Sequence, residues 1–319
     1  KSEVEKEGRP RGWADIDGIR ICAWKGADRD TEFLITDLGY LGGEAEVIVI
    51  RGDAARLHQP SEFDSAVRAC GTVVRYFDEL GIPCLTTSDL ELSPADLRAR
   101  RLAVIPYNPA MPEATATLLA DFMRRGGKVL SFYVLPSALQ KAAGLRTGKH
   151  LKAEDSGRFA AIRPSSSAPA GFPDEVRQNS WNILRARPAA EEVSVAATWY
   201  RDDGTPTGEA AVLASKDFIH MTHILLEDDG DGQRRMLAAM TAHLLPDMWR
   251  PVAERTVEQI GRWGAFPDTA SALTALERRT RRGPAAAQRQ AAAEAHFNAT
   301  ASLAAGKHLQ AIAAARRAR

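Results

Sequence analysis

Cysteine is scarce in this sequence, and its spacing excludes the sites that depend on it. The 319 residues include three, Cys22, Cys70 and Cys84, with no C-x-x-C pair among them. A zinc site or a disulfide framework needs closely paired or evenly numbered cysteines, so neither is predicted. Cys70 lies in an amphipathic helical pattern and Cys84 in an apolar run, which favours buried thiols.

Long apolar runs and metal-binding motifs are missing as well. No run of 18 apolar residues exists, so no membrane span is predicted. Residues 228–232 (DDGDG) lack the glutamate that would complete a calcium loop. Gly39, Gly42 and Gly43 precede a strand pattern instead of opening a helix, which excludes a phosphate loop. Metal-ligand spacing is absent from five histidines, His58, His150, His243, His296 and His308. We therefore expect neither a metal nor a cofactor.

Charge is balanced over the whole chain but not along it. The formal net charge is +1, yet from Arg250 onward twelve Lys or Arg stand against five Asp or Glu, which leaves −6 on the rest. A basic tail can indicate nucleic-acid binding. This one has no reading motif and no interleaved aromatic residues, so we interpret it as a solvated helical surface and expect no nucleic-acid partner.

Strand and helix patterns alternate through the first half of the chain. Strands are predicted at 46–50, 82–85, 102–105 and 129–132, and helices at 61–80, 112–125 and 137–143, with a short helix capped by Ser93. This order predicts an α/β fold with a doubly wound, mostly parallel sheet. A further short strand is predicted at 19–24.

The second half of the chain changes pattern twice. Strands at 158–163, 181–186, 193–200, 210–214 and 217–227 predict an antiparallel extension, followed by a helix at 234–245. Helices are predicted at 250–263 and 269–282, and 285–319 is interpreted as an alanine-rich spacer helix or one side of a bundle. We divide the chain into an N-terminal segment packing on the sheet (1–45), an α/β domain (46–247) and a helical linker or bundle region (248–319).

Residues 126–145, GGKVLSFYVLPSALQKAAGL, combine a strand, a turn and a helix. They resemble the frame in which class I glutamine amidotransferases hold a catalytic cysteine, in a pattern similar to V-L-G-I-C-L-G-H-Q. In this resemblance Ser131 falls on the first glycine and Tyr133 on the cysteine. A phenol with a pKa of about 10 is a poor nucleophile at neutral pH. The resemblance therefore implies a frame that has lost its nucleophile.

Residues 217–227, DFIHMTHILLE, resemble the late amidotransferase strand G-x-Q-F-H-P-E. His223 matches the histidine, while Leu225 occupies the position of the acid that should orient it. Glu227 follows two residues later on the same predicted strand face, so a shifted dyad stays open. The alternative is that His220 and His223 are ordinary residues on opposite faces of a half-buried strand.

A wider resemblance rests on three segments, at 102–136, at 177–183 (RQNSWNI) and at 219–249. Together they resemble the amidotransferase-like region that precedes the barrel in bacterial family 10-like glycosyl hydrolases. The resemblance implies a signal peptide, this domain, a helical linker and a C-terminal (β/α)₈ barrel, and hence an extracellular or periplasmic location. The sequence begins at Lys1 and stops at Arg319 within the expected linker, so we expect a processed or trimmed chain without the barrel. A similar inactive domain of family-42 beta-galactosidases mediates trimer contacts, which suggests a homo-oligomer by analogy.

Ligands of open α/β sheets bind beyond the carboxyl ends of the strands. Those ends supply a candidate ligand-binding set, completed by the late histidine: Arg51, Asp53, Tyr107, Asn108, Tyr133 and His223. Such side chains can stack on a sugar and form hydrogen bonds with it. The alternative is that a degenerate site fills with bulky side chains, with Tyr133 as the plug. Trp181 and Trp199 are predicted to be core or interface residues.

Three functional hypotheses follow. The leading one is a non-catalytic, amidotransferase-like accessory domain of a glycoside hydrolase that supports assembly or binds carbohydrate weakly. The second is an active hydrolase that uses His223 with Glu227 and a recruited Ser131 or Tyr133 as nucleophile. The third is a purely structural oligomerisation module. A hydroxyl of Ser131 or Tyr133 within hydrogen-bond reach of His223 would favour the second hypothesis.

Overall fold

A nine-stranded mixed sheet forms the centre of the protein. The computed structural model describes residues 45–260, 268–279 and 284–318, which all belong to one compact unit. The strands are β1 (Val47–Arg51), β2 (Cys84–Ser88), β3 (Leu102–Ile105), β4 (Lys128–Phe132), β5 (Leu145–Lys152), β6 (Phe159–Pro164), β7 (Val176–Ser180), β8 (Asn182–Pro188), β9 (Ser194–Tyr200), β10 (Pro206–Ala214) and β11 (Phe218–Met221). The order in the sheet is β2-β1-β3-β4-β11-β10-β9-β6-β7, and β5 pairs with β8 in a separate two-stranded ribbon.

Helices cover both faces of the sheet. They are α1 (Ala55–His58), α2 (Pro60–Leu80), α3 (Pro94–Arg98), α4 (Glu113–Arg124), α5 (Ser137–Ala142), α6 (Gly230–Leu244), α7 (Trp249–Glu258), α8 (Thr269–Arg279), α9 (Pro284–Ala304) and α10 (His308–Ala318). The sequence explains several ends: Pro60 opens α2, Gly81 ends it with φ 73°, and Ser93 forms a capping box with Asp96 on α3. Among the described residues, no helix combines the length and apolar character that crossing a membrane requires.

The pairing confirms the predicted α/β fold class. Strands β2, β1, β3, β4 and β11 are joined by parallel pairs, whereas β11, β10, β9, β6 and β7 are joined by antiparallel pairs. The chain order of the strands reverses between β1 and β3. In such sheets that reversal places the binding crevice at the carboxyl ends of the strands.

Two apolar layers hold the sheet between its helices. Alternate residues of each strand point to opposite faces, so Val47 and Val49 pack with α2 and α6 residues, whereas Ile48 and Ile50 pack with α4 residues. Helices α7 and α10 extend the first layer, because Val252 and Ile312 belong to the same buried core. The domain boundaries at 45 and 247 stay predictions.

Several sequence-based element assignments were wrong in their extent. The polar segments that form β5 and β7 were not predicted as strands, because neither shows apolar alternation. Strand β2 runs to Ser88 instead of ending at residue 85. Region 285–319 is not one helix, because Gly306 with φ 70° separates α9 from α10. The strand predicted at 19–24, the glycines at 39–43 and the N-terminal packing segment lie outside the described residues.

Candidate functional site

The turn after β4 has the backbone geometry of a catalytic elbow. Tyr133, the first residue of this elbow turn (residues 133–136), has φ 62° and is the single non-glycine residue with positive φ in the described part of the chain. Its backbone N–H donates to the carbonyl of Met221 at 2.8 Å, and α5 begins four residues later. Positive φ strains a bulky side chain, and such strain clusters at functional sites and their remnants.

The side chain of Tyr133 is fixed by hydrogen bonds and burial. Its hydroxyl donates to Asn182 Oδ1 at 2.6 Å and lies 3.2 Å from His150 Nδ1. The residue is 8% exposed, and burial raises the pKa of its phenol further above the ordinary value of 10. Tyr133 is therefore a neutral, hydrogen-bonded phenol at pH 7, which suits a structural tie and not a nucleophile.

His223 lies beneath Tyr133, sealed from solvent. The two ring centroids are 5.1 Å apart, and the indole of Trp181 meets the imidazole edge-on at 5.0 Å. His223 Nδ1 lies 3.1 Å from the carbonyl oxygen of Ile224, which suits an Nδ1–H donor, while the buried Nε2 has no hydrogen-bond partner among the described residues. Burial lowers the pKa of His223 to about 4, with the Ile224 carbonyl opposing the shift, so the ring is neutral at pH 7.

The proposed dyad between His223 and Glu227 does not form. The prediction of one strand over 217–227 was wrong, because β11 ends at Met221 and the following residues leave the sheet. Glu227 turns towards α2, where it accepts a hydrogen bond from Thr72 at 3.2 Å and pairs with Arg75. Leu225, at the position of the missing acid, is buried in the apolar core. In this geometry no carboxylate orients the imidazole.

Ser131 reaches the other histidine. Its hydroxyl lies 2.9 Å from His220 Nδ1, because the two residues are register partners on the parallel strands β4 and β11. Both are fully buried, and burial lowers the pKa of His220 to about 3. The pair sits inside the protein without access for a substrate, so Ser131 is not placed as the nucleophile that the second hypothesis required.

The remaining candidates divide into two groups at the carboxyl edge of the sheet. Tyr107 joins Tyr133, with ring centroids 5.6 Å apart, and its hydroxyl donates to Glu62 Oε2 at 2.9 Å. Burial and the Glu62 carboxylate raise the pKa of Tyr107. Tyr107, Tyr133 and the buried His223 therefore stack as one aromatic column, with Tyr133 in the middle.

The second group is built around a carboxylate that sequence analysis missed. Asp89 is 1% exposed and accepts hydrogen bonds from the Ala54 N–H at 2.9 Å and from Asn108 Nδ2 at 3.1 Å. Burial raises the pKa of this carboxyl, although both hydrogen bonds oppose the shift. Beside it Arg51 and Asp53 neutralise each other in a bidentate pair of 2.7 and 2.9 Å. Asp89 was missed because β2 was predicted to end too early, which hid its place at a strand end.

Sequence analysis also missed the residues supplied by the ribbon. His150 on β5 and Asn182 on β8 both reach the hydroxyl of Tyr133, and Trp181 covers His223 while staying 56% exposed. Trp199 is a buried core residue, as predicted, but Trp181 is not. No sequence signal pointed to the ribbon, because β5 has no strand pattern. Within the described ranges, no group of three or more His, Cys, Asp or Glu side chains is placed to hold a metal ion.

No protein-family model matches the sequence, and no curated protein matches it either. Solved structures are similar at low identity. A beta-galactosidase from Rahnella has a TM-score of 0.49 and 14% identity, with 64% of this chain and 31% of its own length covered. A GMP synthase-like protein from Thermoplasma acidophilum has a TM-score of 0.40 and 12% identity, with 63% and 96% covered. A ThuA-like protein from Bacteroides uniformis has a TM-score of 0.42 and 13% identity, with 68% and 94% covered. The chain thus spans about a third of the length of the beta-galactosidase.

Proposed function

We propose that this chain is a catalytically inactive, amidotransferase-like domain that serves a carbohydrate-active protein as an accessory domain. The observation that carries the proposal is the occupied elbow. The residue at the nucleophile position, Tyr133, uses its hydroxyl to bind Asn182, and its ring covers His223.

Acyl transfer from glutamine requires an activated nucleophile and a base that is itself oriented. The phenol of Tyr133 has a raised pKa, and burial keeps His223 neutral with Leu225 in place of its acid. Glu227, the other carboxylate considered, is engaged by Arg75 on α2. Each of the three requirements is unmet, which supports an inactive domain over an active hydrolase.

The accessory role is supported by the resemblance of three segments to the region that precedes the barrel in family 10-like glycosyl hydrolases. A C-terminal barrel in the same polypeptide and a location outside the cytoplasm belong to this proposal. Trp181 adds a physical reason for carbohydrate, because an exposed indole at the rim of a former active site offers a stacking surface.

Hydrolysis assays test the inactive elbow. The chain is incubated with glutamine and, separately, with p-nitrophenyl acetate, and release of ammonia or nitrophenol is compared with buffer. We expect no turnover above buffer for the unaltered chain and for His223→Gln. Turnover that His223→Gln abolishes, in a variant with an unchanged circular dichroism spectrum, would contradict the proposal.

A second measurement tests the accessory role. Analytical ultracentrifugation at several protein concentrations, with and without oligosaccharides, separates glycan binding from self-association. A response to at least one glycan is expected. A mass that depends only on protein concentration would instead favour a purely structural oligomerisation module.

A further inference from the structure

The ribbon formed by β5 and β8 carries several cations and no acidic residue. The strands read LRTGKHLK and NILRARP, and we call this surface the basic ribbon. Its side chains lie on the outside of the protein, because the exposed residues include Arg146, Lys149, His150, Lys152, Arg185 and Arg187. From Arg146 to Lys152 the cationic row extends over roughly 20 Å at the usual rise per strand residue.

Two of these cations oppose each other directly. Arg146 and Arg187 are register partners across the two strands. Neither forms an ion pair within the described part of the chain, whereas Arg185 on the same strand donates from Nε to Glu209 at 2.9 Å. Like charges placed directly opposite each other destabilise a strand pair. An anion bound between them would remove this repulsion.

The basic ribbon is held in place by the degenerate elbow. Tyr133 binds Asn182 at one end of β8 and lies beside His150 on β5, and the N–H of Leu184 donates to the carbonyl of Thr222 at 2.9 Å. The surface is therefore preformed, so a ligand need not order it on binding.

One exposed aromatic residue stands at the end of this cationic row. Trp181 precedes the first residue of β8, Asn182, which pairs in register with Lys152 on β5. The indole is 56% exposed and rests edge-on against the buried ring of His223, which fixes its orientation. A fixed, exposed indole next to a lysine can stack on a sugar ring while the ammonium pairs with an acidic substituent.

We infer that the basic ribbon binds an anionic polysaccharide whose sugar rings carry carboxylates, as in a polyuronate. This inference rests on the proposed accessory role and names the class of glycan. The chain has a pI of about 7.9 and a single exposed aromatic on this surface, whereas nucleic-acid binders are typically more basic and use several stacking platforms. A membrane surface would need more exposed apolar side chains than Trp181 alone.

Binding of sodium polygalacturonate, measured by titration calorimetry on the full 319-residue chain, tests the inference. We expect binding that weakens as salt is raised, a loss of at least about tenfold in Arg146→Gln/Arg187→Gln and in Lys149→Gln/Lys152→Gln, and a severalfold loss in Trp181→Ala. The matched control is Arg68→Gln/Lys216→Gln, which removes two cations outside the basic ribbon and should bind like the unaltered chain. Thermal unfolding confirms that each variant is folded.

Three outcomes would overturn the inference: no binding of polygalacturonate, equal loss in the control variant, or equal binding of polyuridylate or phosphatidylserine vesicles. The proposed function fails in a different way. Binding of neutral galactan that the basic-ribbon variants leave unchanged would refute the anionic ligand but keep the accessory role. Turnover of glutamine would refute the inactive elbow, whatever the result for the basic ribbon.

Discussion

The hydroxyl of Tyr133 donates to Oδ1 of Asn182 at 2.6 Å, which ties the elbow turn of the parallel sheet to the first residue of β8. Tyr133 stands where the resemblance places a nucleophile, and Asn182 belongs to a strand of the separate ribbon. The strained backbone of the elbow is thus retained while its side chain supports a neighbouring surface.

Removing this hydroxyl should destabilise the fold modestly. Tyr133→Phe leaves the carbonyl oxygen of Asn182 and the ring of His150 without their partner, and such a loss costs about 0.5–1.5 kcal/mol in the free energy of unfolding. Urea denaturation measures the difference. Tyr200→Phe is the control, because the hydroxyl of Tyr200 has no hydrogen bond among the described residues. An equal effect in both variants would show that the tie has no special weight.

Stability should fall as the solution is acidified below neutral pH. Burial lowers the pKa of His223 to about 4 and that of His220 to about 3, from an ordinary value of 6.5. Above pH 6.5 both states hold the neutral ring. Below it the unfolded chain takes up protons that the native protein refuses, so each histidine removes on the order of 1–2 kcal/mol between pH 7 and pH 5.

Urea denaturation at those two pH values checks this prediction. His223→Gln should reduce the pH dependence, whereas His58→Gln should leave it unchanged because that ring is exposed in the native protein. An unaltered pH dependence in His223→Gln would show that its imidazole is protonated in the fold.

Reversing one charge on the basic ribbon should stabilise it. Arg187→Glu converts the repulsion with Arg146 into attraction across the strand pair, an effect of about 0.2–1 kcal/mol. Denaturation at low salt should show the gain, and high salt should reduce it, since both groups are accessible to solvent. Arg187→Gln should give an intermediate value. A fall in stability for Arg187→Glu at low salt would mean that the two guanidinium groups do not repel each other.

Two glycines should respond oppositely to alanine. A Cβ at Gly52, which follows β1, would lie 2.5 Å from the carbonyl oxygen of Tyr107, so Gly52→Ala must displace the backbone at the candidate site and should destabilise the fold. Gly71 lies in α2 with open space around it, and Gly71→Ala should stabilise by about 0.5–1 kcal/mol through helix propensity. Thermal unfolding of the two variants, side by side, tests both signs.

Apolar pattern predicted the parallel half of the fold well. The runs that became β1, β3 and β4 are buried on both faces, so they read as strands without knowledge of their neighbours. Strand β5 could not be predicted, because its polar residues make only one partly covered ribbon with β8. The end of β11 at Met221 was equally hidden, since the apolar residues that follow continue the pattern while packing elsewhere.

The sequence by itself determined the α/β class, the elbow turn and the loss of its cysteine, because each depends on residue type and local order. Only the tertiary structure decided which groups meet. It paired Ser131 with His220, drew Glu227 to Arg75 and brought Asn182 to Tyr133, over separations of 89, 152 and 49 residues. Contacts between residues so distant in the chain follow from how the sheet and ribbon pack, and no local pattern encodes them.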